Sequence, residues 1–218
     1  MKKGDRYDVS YLEEAQFEPG SRGRVLKNKL GIKSKREIDR LEKQELLRTH
    51  EELIAIYDRN HRFTAADICE IHKIWLGRIY EWAGKYRQVN ISKKDFHFSA
   101  AAQIPKLMES LENGPLSKFT PCNFDSLDQI VRALAIVHAE LVLIHPFREG
   151  NGRIARLLAD LMAAQAGLPP LDFTGIVGKK KKEYISAIHA GMSQNYNPME
   201  KLFRYIIRKT LWTHGQRT

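Results

Sequence analysis

The chain has 218 residues, 43% hydrophobic and 28% charged, which suits one domain with a buried core and excludes a mostly disordered polypeptide. Its 36 basic and 26 acidic residues give a formal net charge of +10, a surplus that favours nucleotides, nucleic acid or acidic partners without choosing among them. Cys69 and Cys122 have no metal-ligand spacing and no apolar run nears the roughly 18–20 residues of a membrane span, so a disulfide scaffold, a zinc site and a membrane anchor all lack support.

Residues 1–33 are rich in Gly, Lys and Arg, turn at Pro19-Gly20-Ser21-Arg22-Gly23, and read as an extended arm laid over a core. Residues 34–213 read as a single, mostly helical domain. Ser34 with Glu37 three residues on predicts a helix start, and Ile38, Leu41, Leu46, Leu47, Leu53 and Ile56 supply its apolar stripe. Thr64 caps the next helix, with Ile68, Ile71, Ile74, Trp75 and Ile79 on one face. From Tyr86 to Phe98 the period changes to that of a strand, with Val89, Ile91, Phe96 and Phe98 around the turn-like Lys93-Lys94-Asp95, which predicts a short hairpin. A helix over 104–111 precedes a loop containing Pro115 and Pro121. Asp125 or Ser126 starts an apolar helix that stops near Ile144, because the residue before Pro146 is pushed out of helical geometry. Further helices are expected over 151–166, 181–192 and 198–213. The fold class is all-α with one β-hairpin.

Two apolar helices therefore flank a loop and first turn of unusual composition, His145-Pro-Phe-Arg-Glu-Gly-Asn-Gly-Arg-Ile-Ala-Arg156. Gly150 and Gly152 permit backbone geometry closed to other residues and let a ligand approach closely. With Asn151 they would aim successive N–H groups at one point, an anion nest at a helix N-terminus. Arg153 and Arg156, three apart, are expected to reach the same phosphates from one face. Glu149 would repel phosphate unless it holds Mg²⁺, a hard cation shared with phosphate oxygens. His145, with an ordinary pKa of about 6.5, can take the proton of an attacking hydroxyl near neutrality. Phe147 is expected to be the buried anchor of the loop. A base, a metal carboxylate and a phosphate cradle point together to phosphoryl or nucleotidyl transfer.

The same twelve residues match every defined position of HxFx(D/E)GNGRxxR, and the chain resembles the Fic-domain family. Trp82-Ala-Gly84-Lys-Tyr-Arg87 with Asn90-Ile-Ser-Lys93 is similar to the segment leading into that family's flap, and the arm around Gly23–Gly31 to its usual lead-in. The resemblance runs from about residue 20 to 210. It implies a Fic-type helical bundle that moves AMP from ATP, with Mg²⁺, to a Tyr, Thr or Ser hydroxyl of a target protein. By the same resemblance His145 is the base, Glu149 the metal residue, and Gly150, Asn151 and Gly152 contact phosphate. Arg153 would serve the β-phosphate, and Arg156 the γ-phosphate. The intact Gly-Asn-Gly-Arg favours AMP over phosphate as cargo; UMP, phosphate, phosphocholine and the reverse reaction are the alternatives at the same site.

Asn90, Ile91, Ser92, Lys93 and Lys94 would dock the target by strand addition. Many members carry an inhibitory helix [S/T]xxxE[G/N], and only Ser10–Glu14 has the right spacing here, with Ala15 breaking the pattern. That implies restraint by a separate small antitoxin-like protein supplying a glutamate to Arg156. Lys179–Lys182 reads as a solvated helix start, since no aromatic platform accompanies it for nucleic acid. His72, His138 and His189 read as packing residues. A membrane role is not expected, a homo-oligomer is left open, and the two thiols suit the cytoplasm, although delivery into a host as an effector is compatible with the sequence.

Overall fold

The computed structural model describes residues 11–93 and 96–215. They form an all-α domain whose sheet is a single two-stranded hairpin. The elements are α1 (Lys35–Ile56), α2 (Ala65–Leu76), β1 (Ser92–Lys93), β2 (Phe96–His97), α3 (Ile104–Leu111), α4 (Ser117–Phe119), α5 (Leu127–Ile144), α6 (Asn151–Gln165), α7 (Gly178–Gly191) and α8 (Asn197–Thr213). No helix among the described residues is long and apolar enough to cross a membrane.

Helix α5 is the axis of the fold. Leu134, Ala135, Val137, His138, Ala139 and Leu141 are all buried, so its sides are covered by protein rather than water. Helices α6, α7, α8 and α3 pack around it, while α1 and α2 pack on each other and reach α6. Capping places the starts of the helices. Ser34 accepts the Glu37 N–H, Ser126 accepts that of Gln129, and Thr64 with Asp67 forms a reciprocal capping box.

Several expectations shift. Leu47 and Ile56 are exposed rather than part of the α1 stripe, while Glu42 and Thr49 take buried places on that helix. Ile79 is buried, but in the turn after α2. The stretch around Pro115 is not a loop: a wide π-type turn over Glu112–Leu116 carries the chain from α3 into α4, with Pro115 accommodated inside it. Helix α7 starts at Gly178, so Lys179–Lys182 form its first turn. The strands are two residues each, paired Ser92 with His97 and Lys93 with Phe96. Val89 is buried outside them.

From residue 11 the arm lies against the core. It is closed by an antiparallel bridge between Phe17 and Leu26 and anchored by buried Val25. Glu14 makes the connection that matters to the site. Its buried carboxylate accepts the N–H groups of Gln88 (2.6 Å) and Val89 (3.1 Å), and its carbonyl accepts Arg148 Nε at 2.8 Å. The arm thus ties the base of the hairpin to the loop between α5 and α6.

Candidate active site

Helix α5 ends at Ile144 because His145 adopts a left-handed conformation, φ 54° and ψ 59°. Such a residue closes a helix and turns the chain away, a place usually taken by Gly or Asn. The His145 ring lies face to face with Phe98, centroids 3.6 Å apart. Its Nδ1 is 3.1 Å from the Val142 carbonyl oxygen, a group that can only accept. Nδ1 therefore carries the proton and Nε2 keeps the lone pair. Burial pushes the imidazole pKa down to about 4, so the ring is a neutral acceptor at pH 7.

The loop that follows is held from inside. Phe147 is fully buried and stacks on the buried His72 ring at 3.9 Å. His72 Nδ1 accepts the Gly84 N–H at 2.8 Å, so its Nε2–H donates to the Glu149 carbonyl at 3.1 Å. Burial pushes the His72 pKa down to about 3, keeping this orientation. The Asn151 side chain accepts the Phe147 N–H (2.8 Å) and donates to the Phe147 carbonyl (2.7 Å). Its side-chain amide thus shapes the loop, while its backbone N–H lies in the first turn of α6.

Gly150 has φ 86°, and a Cβ there would stand 2.5 Å from the Trp75 ring; both reasons demand glycine. Gly152 is the opposite case, where a Cβ would meet nothing within 4 Å. Absence of a side chain there keeps the first turn of α6 approachable. That turn has no side-chain cap, so its leading amides and the helix dipole are available to an anion.

The two arginines do not share one face. Arg153 lies over Trp75, 4.6 Å from its ring, and donates to Glu42 Oε2 (2.6 Å) and Glu149 Oε1 (3.2 Å). Glu42 is buried on α1 and also accepts the Tyr80 hydroxyl at 2.7 Å. Arg156 turns instead to Phe173 and Tyr184, 5.5 and 5.9 Å from their rings. Arg153 thus has carboxylate partners, whereas the ion pairs of the described residues include none at Arg156. Glu14, the carboxylate at inhibitory spacing, is engaged at the hairpin base.

Glu149 is half exposed beside this turn, and no cluster of three potential metal ligands exists among the described residues. One carboxylate at an anion site nevertheless fits Mg²⁺, which takes one or two protein oxygens and fills its octahedron with phosphate and water.

Buried Arg87 was missed as a site residue, although it closes the Trp82–Arg87 segment. It donates to the carbonyls of His145 (2.7 Å), Val89 (2.7 Å) and Ser99 (2.6 Å), and its own N–H donates to the Pro146 carbonyl. One guanidinium thus joins both sides of the hairpin base to His145. In the hairpin, Ser92 and Lys93 are exposed, and the Ile91 carbonyl accepts the Phe98 N–H. Asn90 turns its side-chain oxygen back to the Ala101 N–H at 2.8 Å, and Lys94 lies outside the described residues.

With this geometry in place, comparison with known proteins is decisive for the family. The model of the Fic/DOC family matches residues 62–163. A probable protein adenylyltransferase Fic of Salmonella typhimurium is 30% identical over 145 residues, spanning 64% of this chain and 68% of that protein. The chain belongs to the Fic/DOC family. A protein adenylyltransferase Fic of Nematostella vectensis is 36% identical over 117 residues, covering 53% of this chain and 26% of the relative. The crystal structure of BepC, a VirB-translocated effector of Bartonella tribocorum with bound AMPPNP, is 25% identical. It covers 90% of this chain and 97% of that one, with a TM-score of 0.69. The chain spans 26%, 27% and 30% of the length of three curated relatives it matches.

The buried histidines have a measurable cost at low pH. His72, His138 and His145 are held by burial at about 3, 4 and 4. An unfolded histidine binds its proton near 6.5, so below that pH the unfolded chain takes up protons that the fold refuses. Asp160 acts in the opposite sense. Burial pushes it up to about 7, so between pH 7 and 4 the folded state holds a proton that the unfolded state lacks. Near pH 5 the three histidines outweigh the aspartate by about two protons. The melting temperature is expected to fall steadily from pH 6.5 to 4.5; a flat profile over that range contradicts the neutral buried rings.

Proposed function

We propose that this chain is a protein adenylyltransferase, moving AMP from ATP to a Tyr, Thr or Ser hydroxyl of a target protein. The observation that carries the reading is His145: a ring whose Nδ1–H is committed to Val142 and whose Nε2 is left basic, beside the uncapped N-terminus of α6. The target oxygen attacks the α-phosphorus and its proton passes to His145 Nε2. The bond from the α-phosphorus to the oxygen bridging it to the β-phosphate breaks, and pyrophosphate leaves. The first amides of α6 and the open face of Gly152 bear the polyphosphate, and Arg153 and Arg156 supply cations toward its outer phosphates. Mg²⁺ held by Glu149 would neutralise charge on the phosphates as the bond to pyrophosphate breaks. Ser92 and Lys93 offer an exposed strand to a target segment, which main-chain hydrogen bonds would align with His145. Two features of relatives agree with this reading: the curated relatives are named as protein adenylyltransferases, and the BepC structure holds AMPPNP. Among the described residues no carboxylate forms an ion pair with Arg156, which suits control by a separate small protein that brings one.

The test incubates the protein with a cell lysate, Mg²⁺, and ATP labelled at the α- or the γ-phosphate. Protein-bound label is expected from the α position only. Label arriving from the γ position instead makes the chain a kinase and overturns the proposal.

A further inference from the structure

The lysines that open α7 meet aromatic residues carried by α8. Lys180 Nζ lies over the Tyr205 ring, 4.9 Å from its centroid. On α8, Lys201, Tyr205, Arg208 and Trp212 follow one another at intervals of four, three and four residues, so they lie along one face of the helix. All four are exposed, Trp212 to 73%. The other face of α8, with Leu202, Phe203, Ile206, Ile207 and Leu211, is buried in the core. Cations therefore alternate with rings on the side that meets water. The fold thus supplies from α8 the aromatic platform that the lysine run does not show in sequence.

Charge is concentrated in the same place. Residues 177–215 hold eight lysines and arginines against two glutamates. Lys180, Arg204 and Lys209 pair with Glu183, Asp128 and Asp172. Among the described residues no acidic partner stands against Lys179, Lys181, Lys182, Lys201 or Arg208. The transfer chemistry uses none of these side chains.

We propose that α7 and α8 present a binding surface for single-stranded nucleic acid, separate from the nucleotide site. The sugar–phosphate backbone follows the unpaired lysines and Arg208, and a base stacks on Trp212. A single strand fits better than a duplex because its bases are open to stacking. An anionic membrane is the weaker match: the wide apolar face of α8 is used inside the protein, and Tyr205 and Trp212 alone offer little for insertion.

The test follows the fluorescence anisotropy of a short labelled single strand, as RNA and as DNA, added to the intact protein. Binding is expected to weaken steeply with salt and to persist in excess ATP with Mg²⁺. Trp212→Ala is expected to weaken it at least about five-fold. Lys181→Glu combined with Arg208→Glu should weaken it further and make the salt dependence shallower. These substitutions fall on exposed side chains, so the variants should melt with the parent. Absence of binding at low salt overturns the proposal, as does displacement by ATP, which puts the strand at the α6 amides. Equal affinity of the parent and Trp212→Ala reduces the surface to bare charge and overturns it too. Capture on phosphatidylserine vesicles without binding of either strand assigns the face to a membrane instead.

Discussion

His145→Ala is expected to lower AMP transfer by about 10²–10⁴-fold while nucleotide affinity stays close to that of the parent. Under the proposed mechanism the loss falls on the chemical step, because removing the ring removes the proton acceptor. Arg87 and Lys93 bear positive charge near His145, and Glu149 is the nearby anion. The pH profile then distinguishes a base from a merely structural ring. In the free protein burial holds His145 at about 4, so the acid limb of kcat/KM should lie well below 6.5. Bound polyphosphate adds negative charge beside the ring and favours the imidazolium, so the limb of kcat should lie higher than that of kcat/KM. Coincident limbs at 6.5 would show that the ring is neither buried nor coupled to the phosphates.

The second large effect belongs to Arg87. Arg87→Ala removes a buried guanidinium and leaves the carbonyls of His145, Val89 and Ser99 without their donor. A buried carbonyl left without its donor costs about 1–3 kcal/mol, and three of them should appear as a much lower urea midpoint. Transfer should fall further than stability explains at temperatures where the variant remains folded, because the hairpin base and His145 lose their common tether. Arg87→Lys keeps the charge but cannot reach three carbonyls in three directions, and should recover only part of the loss. An Arg87→Ala protein that unfolds with the parent would mean that the three contacts contribute nothing net.

The extent to which the sequence discloses this arrangement follows from the range of each interaction. Helices α2, α5 and α8 announce themselves through apolar period and caps at Thr64 and Ser126, all local features. The loop from His145 to Arg156 is legible because its composition is incompatible with the helices around it. What supports that loop is not. Glu42 meets Arg153 across 111 positions and Glu14 meets Val89 across 75, and no period or spacing encodes such pairs. Gly150 is readable as a flexible residue, but the reason it must be glycine, the Trp75 ring, emerges only from packing. Asn151 reads as a phosphate residue in the motif, yet its side chain closes a turn on Phe147. Pro115 misleads because its missing N–H falls where a wider turn asks for no donor.

His145 sits in a backbone conformation that costs an ordinary L-residue roughly 1 kcal/mol, and glycine would occupy it without strain. The chain therefore keeps this imidazole at a helix terminus where glycine would be more comfortable. Selection of random variants for heat resistance alone would drift toward glycine or asparagine at this position and enrich inert proteins. A thermostable Fic scaffold of this kind is best sought by holding position 145 fixed and improving the exposed sites, such as Leu47 and Ile56, that the core does not use.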